Sequence, residues 1–204
     1  IAANWKMYKT IKESLDFIEK LNSKSLDFDN LRLIVCAPFT SLSSLNNFIQ
    51  SSNSSVELGA QNIYHESEGA YTGEISAPML SENNIKHIIV GHSERRTIFN
   101  EDDEFIVKKA KKVLEENFNL IFCIGETLEE RKEGQTEKVL ESQLKYLLEI
   151  INKNQLNKII FAYEPVWAIG TGLSASVDQV KDAHILVRKI ISDYFNISSD
   201  QIDL

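Results

Sequence analysis

Residues 158–176 read KIIFAYEPVWAIGTGLSAS and contain a strand-like run, an acid and a loop, in that order. The apolar run Ile159–Tyr163 has the length and the β-branched and aromatic composition of a strand buried on both faces. Glu164 follows this run, and Pro165 cannot extend a β ladder because it lacks an N–H. An acid at a strand's carboxyl end, followed by an apolar loop with a flexible tip, predicts a base under a lid. A solvated glutamate in an ordinary strand-to-helix connection is the alternative.

Five other short apolar runs precede this one and alternate with amphipathic segments of helical spacing. They are Ile1–Ala3, Leu33–Ala37, Val56–Ala60, His87–Gly91 and Leu120–Ile124. This alternation predicts parallel strands with helices packed outside them. The first strand is followed by no Gly-x-Gly-x-x-Gly, and the sequence contains no Gly-x-x-x-x-Gly-Lys-Ser/Thr, so the doubly wound nucleotide-binding folds lose support. The predicted fold class is α/β, as a (β/α) barrel with polar residues gathered at the strands' carboxyl ends.

Helix starts are marked by capping signatures. Thr10–Glu13 and Ser176–Gln179 each combine a hydroxyl residue with Glu or Gln three positions later. After the second signature, apolar residues recur at helical spacing and predict one buried face, formed by Val180, Ala183, Val187, Ile190, Ile191 and Tyr194.

The composition restricts the partners and the cellular environment. The formal net charge of −8 argues against a nucleic-acid partner bound through a general basic field, and no apolar run approaches membrane-spanning length. Cys36 and Cys123 both lie within apolar runs, which indicates buried free thiols in a reducing cytoplasm. No linker-like stretch divides the chain, so residues 1–204 are expected to belong to one domain.

Two other strand ends carry groups that suit chemistry on an anionic substrate. Alternation places Asn4 and Lys6 on one side of the first strand, where Lys6 would offer a cation to a phosphate or an enolate oxygen. His92 lies between the fourth strand and a short helical turn, and a helix N-terminus disfavours imidazolium. Taken singly, these residues are also compatible with a solvated lysine and a structural histidine. Together with Glu164 they supply a cation, an electrophile and a base, the parts needed to abstract a proton beside a carbonyl.

Metal binding is a weaker interpretation of the same histidines. The sequence has four, His65, His87, His92 and His184, and their spacing is not that of metal ligands. No metal is therefore expected.

The sequence resembles the triosephosphate isomerase family at these positions and at several others. The matching stretches occur in the family's order, and they are Ala3–Met7, Gly69–Ser76, Gly91–Arg96, Cys123–Glu126 and Ala162–Gly172. The resemblance implies an eight-stranded barrel that interconverts dihydroxyacetone phosphate and glyceraldehyde 3-phosphate without a cofactor. This family is itself the standard example of a base, a neutral imidazole and a closing loop in one site.

The resemblance also implies roles for individual residues. Glu164 would shuttle the proton between two substrate carbons, and His92 would polarise the substrate oxygens as a neutral electrophile. Lys6 would neutralise substrate charge, Asn4 would donate a hydrogen bond, and Glu94 would be the supporting carboxylate near the lysine. A lid, Pro165–Ala175, would close over the substrate, with backbone N–H groups of Gly170 and Thr171 reaching its phosphate.

The resemblance also has implications for the assembly and the length of the protein. Tyr64–Gly73 matches the family's loop that inserts into a partner subunit, which implies a homodimer with Thr72 and Arg95 as contact candidates. Leu173 stands where many relatives carry Lys after the lid tip. A barrel of this kind needs roughly 250 residues, so the 204 residues are expected to be a partial sequence whose last four begin a seventh strand. This partial chain, produced on its own, is expected to fold poorly and to have negligible activity.

Overall fold

The computed structural model describes residues 1–24 and 31–204 of the chain. Six parallel strands form one sheet in the order of the sequence, β1 to β6. Their bounds are Ala2–Asn4, Ile34–Ala37, Glu57–Ala60, His87–Val90, Asn119–Ile124 and Ile159–Tyr163. The structure therefore confirms the six predicted strands and the α/β class, with boundaries shifted by one residue at most.

Helices lie between the strands, and the order of elements is that of repeated β/α units. The helices α1 to α8 are Ile11–Asn22, Phe39–Ser52, Ala77–Glu82, Ser93–Thr97, Asp103–Glu115, Leu128–Lys132, Thr136–Ile150 and Val177–Phe195. Both predicted capping boxes are formed, at Thr10 before α1 and at Ser176 before α8. Six parallel strands with helices between them make a curled half-barrel, the arrangement that the (β/α) pattern predicts.

The apolar strands are buried on both faces, and their residues alternate between two clusters. Ile34, Cys36, Ile89, Ile121 and Cys123 face one another on the inner side of the sheet. Their neighbours along the same strands, such as Val35, Ala37, Leu120, Phe122 and Ile124, join the larger core between the sheet and the helices. This two-sided burial explains why the strands are continuous apolar runs instead of alternating ones.

The two cysteines are free and buried, as the sequence indicated. Burial raises the pKa of the Cys36 thiol to about 12 and raises that of Cys123 as well. Neither thiol is therefore a ready nucleophile at neutral pH.

One residue of the predicted face of α8 is placed differently. Ala183, Val187 and Ile191 are buried, but the side chain of Tyr194 is exposed and its neighbour Phe195 packs against the core instead. An apolar stripe that repeats every seven residues drifts by about 20° per repeat around an α-helix, so over the nineteen residues of α8 its last member turns away from the contact.

Beside β6, Ile160 and Asp203 form a single parallel bridge, and the N–H of Phe161 donates to the Asp203 carbonyl at 3.0 Å. This is where the sequence predicts that a seventh strand begins. Within the described residues, no helix combines the length and the apolar character that crossing a membrane requires.

Candidate active site

A cavity of about 200 Å³ opens where the carboxyl ends of the strands meet. It is lined by residues at or after the carboxyl ends of β1, β2, β3 and β4, because parallel strands bring these ends to one edge of the sheet. The lining residues are Asn4, Lys6, Met7, Phe39, Gln61, Asn62, His92, Glu94, Arg95 and Phe99. The predicted Asn4, Lys6, His92 and Glu94 are thus brought together around one space.

The buried imidazole of His92 is held in a defined neutral form. Its Nδ1 accepts a hydrogen bond from the backbone N–H of Glu94, at 3.2 Å, in the first turn of α4. A ring nitrogen that accepts carries no proton, so the proton of the neutral ring is on Nε2. That Nε2 lies 3.0 Å from Oε1 of Glu164, to which it donates.

Glu164 is fixed at both of its carboxylate oxygens. Oε1 accepts from His92, and Oε2 accepts from the backbone N–H of Ser93 at 3.0 Å. The backbone of Glu164 is also tied to the neighbouring strand, since its N–H donates to the carbonyl of Ile124 at 2.7 Å. The acid that ends β6 therefore points towards the start of α4 and not into solvent, against the alternative of an ordinary surface glutamate.

Lys6 has an unusual backbone conformation and a paired side chain. Its φ of 52° lies in the left-handed region, which is uncommon for a residue with a Cβ. Its N–H donates to Oδ1 of Asn4 at 2.9 Å, which leaves the Nδ2 end of that amide to donate elsewhere. Its Nζ donates to Oε1 of Glu94 at 2.8 Å. The ammonium thus lies at the cavity with a carboxylate beside it.

The N-terminal end of the lid is anchored to a fully buried carboxylate, Glu126. Its oxygens accept hydrogen bonds from the Tyr163 hydroxyl at 2.9 and 3.0 Å and from Nε1 of Trp167 at 3.2 Å. Arg131 donates to the same carboxylate at 2.8 Å, and its guanidinium lies 5.1 Å from the centre of the Trp167 ring. Burial and the adjacent Glu126 charge together raise the pKa of Tyr163, so its hydroxyl stays a donor.

Gly125, the residue before Glu126, lies where there is no room for a side chain. A Cβ added there would fall on the backbone carbonyl oxygen of Glu164. The Gln143 side chain binds the Gly125 backbone at both polar groups, accepting from its N–H at 2.8 Å and donating to its carbonyl at 3.0 Å. The ends of β5 and β6 therefore approach closely, and this contact supports the backbone of Glu164.

The lid tip lies on the surface in this structure. Gly170, Thr171 and Leu173 are exposed, and neither Gly170 nor Thr171 is among the described residues that line the cavity. The Thr171 hydroxyl donates to the carbonyl of Trp167 at 2.7 Å and accepts from the N–H of Leu173 at 3.2 Å. These two bonds brace the tip internally.

The structure adds functional candidates that sequence patterns did not supply. Ser93 enters the site through its backbone N–H, and Gln143, which the sequence shows only inside a predicted helix, supports Gly125. Gln61 lines the cavity and donates to two backbone carbonyls. A polar residue directly after the apolar run Val56–Ala60 was the available signal for Gln61. In the part of the chain that the structure describes, no three His, Cys, Asp or Glu side chains gather as a metal site.

The fold and the site together define an enzyme of the (β/α) barrel type, with an acid–base pair at the carboxyl ends of parallel strands. Comparison with known proteins identifies the family. The family model described as "Triosephosphate isomerase" matches residues 1–204. The chain belongs to the triosephosphate isomerase family.

Individual relatives agree with this assignment. The chain is 45% identical to the triosephosphate isomerase of Dictyoglomus turgidum over 196 residues, which cover 96% of the chain and 78% of the relative. It is also 45% identical to that of Dictyoglomus thermophilum, over 98% of the chain and 80% of the relative. The corresponding protein of Fusobacterium nucleatum is 44% identical over 96% of the chain and 77% of its own length.

Proposed function

We propose that the protein interconverts dihydroxyacetone phosphate and glyceraldehyde 3-phosphate by proton transfer through an enediolate, with no cofactor, as a step of glycolysis and gluconeogenesis. The relatives reported above are named as triosephosphate isomerases and align over nearly the whole chain. The observation that carries the proposal is the 3.0 Å contact between the protonated Nε2 of His92 and the carboxylate of Glu164, beside the Lys6 ammonium.

The chemistry assigned to these residues follows from their charges and protons. The Glu164 carboxylate takes a proton from the substrate carbon beside the carbonyl, and the C–H electron pair becomes the enediolate double bond while the oxygen gains negative charge. His92 donates its Nε2–H to that oxygen, and Lys6 neutralises charge on the substrate. Glu164 then returns the proton to the adjacent carbon, the hydroxyl proton on that carbon's oxygen moves to the first oxygen through Nε2 of His92, and the two oxygens exchange their carbonyl and hydroxyl roles. Asn4 donates from Nδ2, and Glu94 pairs with the Lys6 ammonium at the cavity.

The segment Pro165–Ala175 is proposed to close over the bound substrate. The backbone N–H groups of Gly170 and Thr171 would then bind the substrate phosphate, and the closed lid would exclude water from the enediolate. The Trp167–Glu126 bond gives this movement a fixed N-terminal end, and the bonds of Thr171 let the tip move as one piece.

The activity is tested by a coupled spectrophotometric assay on the full-length protein. Glu164→Asp shortens the base by one methylene, and His92→Gln removes the ring donor, so each should lower turnover about 10²- to 10⁴-fold. Matched controls are Glu115→Asp on the exposed face of α5 and His184→Gln on α8, which should leave turnover unchanged. Full activity in both site variants would contradict the roles proposed for these residues.

The same assay separates two other candidate functions. An enzyme acting on another phosphorylated sugar would turn over a different member of a phosphosugar panel and fail on triose phosphates. A non-catalytic relative would turn over none of them. The presence of Lys6, His92 and Glu164 in one site favours an active enzyme over the latter.

A homodimer formed through the loop Tyr64–Gly73 is the proposed assembly. The Tyr64 and Tyr71 rings pack against each other within this loop, tilted by 42° with their centres 4.5 Å apart, so the loop presents an ordered aromatic surface. Met7 and Phe99, which line the cavity beside Lys6 and Arg95, are 96% and 62% exposed. Large apolar side chains exposed at the rim of a site are typical of a surface that a partner covers.

Sedimentation equilibrium of the full-length protein tests this assembly. The parent protein should sediment with twice the chain mass, and Thr72→Arg, which places a charge on the loop, should shift it towards the monomer. Ser51→Arg, at the other end of the molecule on the last turn of α2, is the matched control and should stay dimeric. A monomeric parent at micromolar concentration would exclude the proposal.

We also propose that residues 1–204 belong to a single (β/α) barrel domain and that the protein is cytoplasmic. The uninterrupted ladder from β1 to β6 supports the first, and the two free buried thiols support the second.

A further inference from the structure

The side chain of Gln61 connects the ends of β1 and β2 through one nitrogen. Its Nε2 donates to the backbone carbonyl of Lys6 at 2.9 Å and to that of Cys36 at 2.9 Å. Because both partners are acceptors, the NH₂ end of the amide must face them, and its two hydrogens serve one carbonyl each. The Cys36 carbonyl also accepts the N–H of Trp5 at 3.1 Å, so the same atom secures the residue before Lys6.

Lys6 is a residue whose backbone needs such support. A left-handed φ in a residue with a Cβ is unfavourable and persists only where the surroundings determine it. Two contacts hold Lys6 in this conformation: the Asn4 side chain accepts from the Lys6 N–H, and the Gln61 amide donates to the Lys6 carbonyl. The peptide groups on both sides of the Lys6 Cα are therefore fixed, and with them the direction of its side chain.

This direction decides where the ammonium lies. The Lys6 side chain is about one-third exposed, and its only ion pair among the described residues is with Glu94, which is itself 39% exposed. An ion pair of that exposure is weak and cannot hold a long side chain in place by itself. The backbone conformation must therefore supply much of the ordering.

We propose that Gln61 is a positioning residue that places the Lys6 ammonium at the cavity by holding the left-handed backbone of Lys6. The proposal rests on the proposed function, in which Lys6 meets the charge of the substrate. A residue of the same length without donors cannot replace Gln61, because both carbonyls would lose their partner.

The decisive experiment is a double-mutant cycle between Gln61→Met and Lys6→Met in the full-length protein. Met keeps the length and approximate volume of the side chain but donates nothing. Gln61→Met alone should lower kcat/KM about tenfold, mainly through a higher KM, because it removes two hydrogen bonds that act on binding of the substrate charge. In the Lys6→Met background the same change should have almost no further effect. Gln50→Met, on the exposed face of α2, is the matched control and should change neither parameter.

A crystal structure of the Gln61→Met variant supplies a readout that does not depend on turnover. The proposal expects the φ of Lys6 to leave the left-handed region, or its side chain to leave the cavity. An unchanged Lys6, or an equal loss of kcat/KM in both backgrounds, would overturn it. If the parent protein fails to turn over triose phosphates, the proposed function fails, and the crystal structure still decides whether Gln61 positions Lys6.

Discussion

Replacing Glu57 by Gln should destabilise the protein in a way that depends on pH. Glu57 begins β3 and accepts from Nε and Nη2 of Arg32, at 3.3 and 3.2 Å. Its Oε2 also lies 2.5 Å from Nε2 of His87, the fully buried first residue of β4. This ion cluster lies at the amino ends of the strands, opposite the candidate active site, where a barrel's residues serve stability more than catalysis.

The magnitude follows from the pKa of Glu57. Burial raises it, but the hydrogen bonds from Arg32 and His87 outweigh burial and lower it from 4.5 to about 2. At about 1.36 kcal/mol per pKa unit, this lowering corresponds to about 3 kcal/mol of stability at neutral pH. Because the side chain is 22% exposed, solvent screening reduces the contribution to about 2 kcal/mol.

The sign of the pH dependence is fixed by the same values. A carboxyl whose pKa is lower in the folded state stabilises the protein above its unfolded pKa of 4.5 and loses that effect as pH falls towards about 2. About 0.8 kcal/mol should be lost by pH 4. Burial lowers the pKa of His87 and the Glu57 carboxylate opposes that lowering, so the loss of stability from His87 below about pH 6.5 is larger in Glu57→Gln than in the parent. The effect of Glu57 alone is therefore measured in a His87→Gln background, in which the residue at this position no longer titrates.

Urea unfolding curves of His87→Gln and of the double variant His87→Gln, Glu57→Gln, at one protein concentration and at pH 7, 5 and 4, measure this effect. Because the Arg32 hydrogen bonds remain in this background, we expect it to be at most about 2 kcal/mol at pH 7 and smaller at pH 4. The control is Glu115→Gln, which breaks an exposed 3.7 Å pair with Lys111 and should cost less than about 0.5 kcal/mol at every pH. A difference at Glu57 that stays constant from pH 7 to pH 4, or that grows, would refute the reasoning.

Three further changes test contacts near the site. Gly125→Ala puts a methyl group against the carbonyl of Glu164 and should cost about 1–3 kcal/mol in urea unfolding and lower turnover in the coupled assay. Trp167→Phe removes a donor to the buried Glu126 charge, so amides of the lid should exchange hydrogen about tenfold faster. Lys109→Met leaves a buried carboxylate with one cation fewer and should cost about 3 kcal/mol in urea unfolding; an effect near zero would contradict this.

The strands and the positions of the main candidate residues could be predicted from the sequence because both depend on local patterns. Buried parallel strands are continuous apolar runs, and polar residues that follow them meet at one edge of the sheet. This logic was enough to place Asn4, Lys6, His92 and Glu164 at one edge of the sheet, whereas the contact of Glu164 with the imidazole is known only from the structure. The exposed Tyr194 shows the limit of such patterns, since periodicity gives a face but not the length over which a partner covers it.

The contacts that hold the candidate residues in place could not be predicted, because they join residues far apart in sequence through side chain and backbone. The two carbonyls bound by Gln61 lie 55 and 25 positions away, and the Gln143 amide binds a glycine 18 positions away. No pattern marks a backbone carbonyl as a partner, since every residue has one.

The chemistry of the site depends on these unpredicted contacts as much as on the side chains that sequence reveals. The sequence shows a histidine at a helix start, but only the Glu94 N–H bonded to Nδ1 establishes that the proton is on Nε2. It likewise shows a lysine at a strand end, whereas the ammonium reaches the cavity from a backbone held in the left-handed region by Asn4 and Gln61. Ionisable side chains such as these are common in proteins, whereas the fixed orientation that each has here is specific to this site. Variants of the orienting groups therefore test the proposed mechanism more sharply than removal of the ionisable groups themselves.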